Sequence, residues 1–113
     1  MNNPTILVVD DQNTHRDLSR SALEGAGFVV ETAASGLEAL EKLRSNALAL
    51  VVTDQIMPGM SGLELLREIR GQWSRLPVVI VTAHGTVETA VDAMKAGASD
   101  FIPKPFTPEE LLL

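Results

Sequence analysis

The chain of 113 residues has no cysteine, which excludes disulfides and thiolate metal sites. It also lacks a basic cluster: 9 Lys and Arg stand against 15 Asp and Glu, a formal net charge of −6. That balance argues against this segment gripping nucleic acid or an anionic membrane by itself. Its opening, MNNPTILVVDD, meets acids after a short apolar stretch, too soon for a signal peptide or a membrane span. A cytoplasmic location is the expectation. Internal repeats, linkers and low-complexity segments are absent as well.

Apolar material for a core is present. Hydrophobic residues make up 45%, too many for a disordered chain. One domain over residues 1–113 fits the roughly 100–200 residues of a typical unit. Three runs, TILVV (Thr5–Val9), LALVVT (Leu48–Thr53) and PVVIVT (Pro77–Thr82), are short, continuous and rich in β-branched residues. Such runs predict strands buried on both faces, as in a parallel sheet. FVVET and DFIP are weaker and suit the sheet edges.

Helical segments alternate with these strands. The first carries Leu18, Ala22, Leu23 and Ala26 on one face and closes at Gly25 and Gly27. The second and third open with capping-box spacing, Ser35 with Glu38 and Ser61 with Glu64. The fourth carries the stripe Val87, Ala90, Val91 and Met94 and stops at Gly97. All these stripes are expected to be core contacts. Thr107, Pro108 and Glu110 announce a fifth helix, but only Leu111–Leu113 follow. The expectation is an N-terminal fragment of a longer protein.

Repeated strand–helix alternation means α/β. Right-handed crossovers and this size point to a flavodoxin-like (βα)5 domain with a five-stranded parallel sheet in the order 2-1-3-4-5, its fifth helix truncated.

In such a sheet all strand carboxyl ends share one edge, and ligands bind where the strand order reverses, here between strands 1 and 3. On that edge strand 1 ends in Asp10-Asp11, strand 3 in Asp54 and strand 4 in Thr82, while strand 5 runs into Lys104-Pro105. Taken singly, each has an ordinary reading. An aspartate after a strand forms a turn or caps a helix, Lys104 is a solvated lysine, and the Thr82 hydroxyl bonds the backbone. Their convergence is what those readings leave unexplained. Two unit charges about 4 Å apart repel by roughly 4 kcal/mol at an effective dielectric near 20. A hard cation would relieve such a cluster, and carboxylates with open water positions suit Mg²⁺. Asp54 is then a candidate nucleophile toward phosphorus. Mg²⁺ on Asp11 and Asp54 would neutralise phosphoryl oxygens, with Lys104 and Thr82 holding others.

The segments ILVVDD, VVTDQIMPGMSG, PVVIVTAHG and AGASDFIPKPF stand in the order and spacing of a response-regulator receiver domain of two-component signalling, and the chain resembles that family over its whole length. The resemblance implies that Asp54 accepts a phosphoryl group from a phosphohistidine on a sensor histidine kinase. It further implies Mg²⁺ bound by Asp11, Asp54 and the backbone carbonyl of Ile56, with Asp10 acting through water. Thr82 and Phe101 match the family's switch pair, and the readout surface would be the fourth helix, fifth strand and fifth helix. A cis peptide between Lys104 and Pro105 is implied too. A second copy of the receiver, in a homodimer, stands as a further candidate partner. The segment AHGTVETAVDAMKAGASDFIPKPF is most similar to receivers of transcription activators that work with sigma factor 54 and carry an ATPase module and a helix-turn-helix.

Two residues depart from the family pattern. Gln55 is polar where an aliphatic residue is usual, and Phe101 has no hydroxyl, so a switch relying on a tyrosine hydroxyl is excluded. A truncated fifth helix would leave one sheet face partly bare. His15 and His84 read as polar surface residues, Trp73 as a cover on the core edge, and Met57 and Met60 as loop anchors. A haloacid-dehalogenase-type phosphatase would need an acid where Ile56 stands. A flavodoxin-like FMN carrier would not place acids in DDQNTH, where phosphate must bind. The remaining alternative is a pseudo-receiver that accepts no phosphate and acts only through protein contacts.

Overall fold

The structure is a computed structural model and describes residues 4–111. Strands β1 (Thr5–Val9), β2 (Val29–Ala33), β3 (Leu50–Asp54), β4 (Val78–Thr82) and β5 (Asp100–Pro103) alternate with helices α1 (Asn13–Gly25), α2 (Gly36–Ser45), α3 (Gly62–Gln72) and α4 (Val87–Lys95). The sheet order is β2-β1-β3-β4-β5 and every pairing is parallel, as expected. The two weak runs lie at the edges. Ladder partners set the strand limits: β3 starts where Leu50 meets Ile6 and extends to Asp54 opposite Val81. It therefore begins two residues after the apolar run does and takes in the aspartate.

Alternation along the central strands builds two cores. Leu7, Val9, Val51, Val78 and Ile80 point to the face covered by α2, α3 and α4. Ile6, Val8, Val52, Val79 and Val81 point to the opposite face, with Leu23 of α1 and Leu111. Both faces being buried explains why these strands read as unbroken apolar runs.

Helix starts follow the capping signals. Ser61 and Glu64 form a complete capping box, and Ser35 accepts from the Glu38 N–H at 3.2 Å. The Glu38 carboxylate reaches past the cap to the Ala34 N–H instead. Thr86 and Thr89 form a second complete box at α4. Trp73 and Met60 pack partly buried against the first core, and Met57 is buried in it.

The stripe on α4 is not a core contact, and the stripe on α1 is one only at Leu23. On α4 Val87, Val91 and Met94 are exposed, and Ala93 is the buried residue. On α1 Leu18 is exposed and only Leu23 is buried. Period 3.6 identifies a helix but does not choose between its faces, and on α4 the face carrying Ala93 is the one turned to the core.

The fifth element is a single 3-10 turn over Pro108–Leu111, with Leu111 buried against the second core. Leu112 and Leu113 lie outside the described residues. No helix among the described residues is long and apolar enough to cross a membrane.

Candidate functional site

Adjacent strands β1 and β3 deliver their carboxyl ends side by side, so Asp10, Asp11 and Asp54 meet at the point where the sheet order reverses. One carboxylate oxygen from each lies within 4.8 Å of the others. Asp10 and Asp54 are buried and Asp11 is exposed. The Lys104 ammonium, carried in just past β5, donates to Asp10 Oδ2 at 2.6 Å and to Asp54 Oδ2 at 3.0 Å. The Lys104–Pro105 peptide is cis.

The second oxygen of each buried acid does a different job. Asp10 Oδ1 accepts the Gln12 N–H at 3.0 Å, and Asp54 Oδ1 accepts the Ile56 N–H at 3.3 Å. The ordinary turn-forming reading of these aspartates is thus correct for Oδ1, while Oδ2 serves the cluster. Neither caps a helix: the N-cap of α1 is Gln12. The Arg16 guanidinium donates to the Asp10 carbonyl at 2.7 Å and ties this turn to α1.

Burial disfavours the charge on Lys104. Its hydrogen bonds and Coulomb attraction to Asp10 and Asp54 outweigh that, holding the ammonium above the usual lysine range. Lys104 is therefore a positive charge held between the carboxyl groups of Asp10 and Asp54.

His15, expected as a polar surface residue, is half-buried and reaches the cluster. Its Nδ1 lies 3.0 Å from Lys104 Nζ and 3.7 Å from Asp10 Oδ2. An ammonium can only donate, so this contact needs Nδ1 as the acceptor and the ring proton on Nε2. No sequence signal marks this contact, which joins residues 89 positions apart. His84 stays exposed, and its backbone N–H donates to the Thr82 hydroxyl at 3.3 Å.

Thr82 ends β4 beside the cluster, with its hydroxyl engaged by that backbone N–H rather than by an acid. Phe101, in β5, is half-buried against the first core. A Cβ placed on Gly85 would come within 2.7 Å of the Phe101 ring and 3.1 Å of the Thr82 methyl. Thr82 and Phe101 thus face the same glycine of the β4–α4 loop.

Gln55 places its side chain away from the cluster. Its Oε1 accepts the Leu63 N–H at 2.8 Å, and its carbonyl accepts the Gly62 N–H at 3.0 Å. Gly62 is required there, since a Cβ would stand 2.3 Å from the Asp54 carbonyl oxygen.

Fold and site together define a flavodoxin-like domain whose switch-point crevice is acidic and bridged by one lysine. Residues 6–113 match the family described as response regulator receiver domain. Response regulator MprA of Mycobacterium tuberculosis is 43% identical over 107 residues, covering 95% of this chain and 46% of that protein. The C4-dicarboxylate transport transcriptional regulatory protein DctD of Rhizobium meliloti is 41% identical over 109 residues, covering 96% of this chain and 24% of that protein. Among solved structures, the receiver domain of NtrX from Brucella abortus superposes with a TM-score of 0.86 at 43% identity, covering 95% of this chain and 91% of that one. The chain belongs to the response regulator receiver domain family, the one its motifs resemble. It spans about half or less of the length of these two curated relatives. Receiver domains of this family take phosphoryl groups from histidine kinases.

Proposed function

We propose that this domain is a phosphoacceptor switch in which Asp54 receives the phosphoryl group of a kinase phosphohistidine. The observation that carries the reading is the Lys104 bridge between Asp10 and Asp54, beside Asp11. A structural ion pair needs one acid; three at one strand edge suit a site built to receive negative oxygens and a cation together.

The donor set fits Mg²⁺. Its atoms are hard carboxylate oxygens, and exposed Asp11 leaves one side open to water. Asp11, Asp54 and the Ile56 carbonyl would hold the ion, with Asp10 acting through water. When bound it supplies charge neutralisation for the phosphoryl oxygens.

The chain's own residues do the rest. An Asp54 carboxylate oxygen attacks phosphorus, an O–P bond forms, and the P–N bond to the kinase imidazole breaks. Lys104 then exchanges its Asp54 contact for a phosphoryl oxygen while keeping Asp10. The Thr82 hydroxyl turns from the His84 N–H toward another oxygen, and Phe101 moves behind it across Gly85. A new local charge thereby biases a two-state element. The exposed Val87, Val91 and Met94 stripe supports reading α4 as part of the output surface.

Residues 1–113 are one receiver domain of a longer regulator in this reading. The likeness to a transcriptional regulatory protein supports an output in transcription. The motif resemblance of the segment AHGTVETAVDAMKAGASDFIPKPF makes that output one through an ATPase module and helix-turn-helix working with sigma factor 54.

Acetyl phosphate with Mg²⁺, followed by intact mass, tests the proposal. One added phosphoryl group is expected, absent from Asp54→Asn and from a chelated sample. A wild-type chain that stays unmodified would refute it in favour of a pseudo-receiver acting through protein contacts.

A further inference from the structure

Gln55 follows the acceptor directly, and its polarity is out of place in a loop leaving a buried strand. Helix α3 shows what that polarity is for. The first N–H groups of a helix have no partner within it. Here the Gly62 N–H reaches the Gln55 carbonyl at 3.0 Å, and the Leu63 N–H reaches Gln55 Oε1 at 2.8 Å. The Glu64 N–H reaches Ser61 Oγ at 3.1 Å. Of these three donors, one residue outside the helix satisfies two.

The consequence falls on Ile56. It stands between Gln55, pinned to α3 by main chain and side chain, and Met57, buried in the first core. Its N–H donates to Asp54 Oδ1 at 3.3 Å. Ile56 is therefore held through both of its neighbours beside the Asp54 carboxylate. Gly62 permits the close approach, because any side chain there would strike the Asp54 carbonyl.

We infer that Gln55 is a positioning residue: its side-chain amide clamps the acceptor loop to the start of α3 and pre-sets Asp54 and the Ile56 carbonyl for a divalent cation. This rests on the phosphoacceptor reading above. An aliphatic residue at the same position would leave the Leu63 N–H unfilled and the loop held by the main-chain bond alone.

NMR on the ¹⁵N-labelled chain tests the clamp with no phosphorylation step. Leu63 amide exchange is measured without metal, and Mg²⁺ is then titrated by amide shifts, in wild type, Gln55→Leu and Gln55→Glu. In Gln55→Leu both the Leu63 exchange rate and the Mg²⁺ dissociation constant should rise by about three- to ten-fold, the range for one ordinary hydrogen bond. Gln55→Glu keeps an oxygen acceptor at the helix N-terminus and should retain Leu63 protection. If Gln55→Leu does not fold, Gln55→Met takes its place with the same expectation. Wild-type Mg²⁺ affinity in a folded Gln55→Leu would overturn the clamp and leave the site reading intact. A wild-type chain with no saturable Mg²⁺ response would overturn the site reading, and the inference with it.

Discussion

Replacing Lys104 with methionine removes the cation that bridges the acids and keeps most of the side-chain volume. Lys104 is 14% exposed, and its partners Asp10 and Asp54 are 4% and 9% exposed. At separations of 2.6 and 3.0 Å each attraction is about 6 kcal/mol before desolvation, taking an effective dielectric near 20. Most of that is offset by the cost of taking the charges out of water. Breaking a buried pair by deleting one partner costs about 3–5 kcal/mol. This crevice opens to solvent at Asp11, which lowers the expected loss to about 2–4 kcal/mol without metal. In the proposed site Mg²⁺ would neutralise the same carboxylates as Lys104, so the variant should bind Mg²⁺ more tightly than wild type. By linkage, saturating Mg²⁺ should then narrow the stability gap by about 1–2 kcal/mol. Urea unfolding followed by circular dichroism, with chelator and with Mg²⁺, measures all four states. A metal-free loss below about 1 kcal/mol would refute the claim that the acids depend on this lysine. A gap unchanged by Mg²⁺ would refute the shared site.

Three further outcomes follow from the same geometry. The Lys104 ammonium is held above the usual lysine range, so its contribution is complete below the unfolded-state value and fades as pH rises through the folded one; alkaline unfolding of wild type should show this loss and Lys104→Met should not. Gly62→Ala drives a methyl into the Asp54 carbonyl at the acceptor loop, and should cut phosphoryl uptake from acetyl phosphate by more than tenfold in a chain that circular dichroism shows folded. Leu66→Ala, at a fully buried position of α3, should cost about 3 kcal/mol in urea while Mg²⁺ affinity stays unchanged.

Much of the site was legible because a parallel sheet makes it one-dimensional. Once strand order is known, the last residue of each strand falls on a common edge, and Asp10, Asp11, Asp54, Thr82 and Lys104 can be read off in turn. His15 escaped that logic: it sits on a helix, and its reach to Lys104 depends on how α1 leans over β1. Gln55 was visible as an oddity but not as a clamp, since its partner Leu63 lies eight positions on, across a loop.

By itself the sequence determined the alternation of elements, the sheet order and the acidic edge, because burial on both faces forces unbroken β-branched runs and chirality limits how they connect. Only the tertiary structure decided which face of α4 is buried, and that α1 buries Leu23 but not Leu18. It also decided that each buried aspartate divides its two oxygens between a turn and Lys104. The Lys104 contacts are distances of about 3 Å between residues 94 and 50 positions apart at strand ends, and such distances exist only once the sheet is assembled.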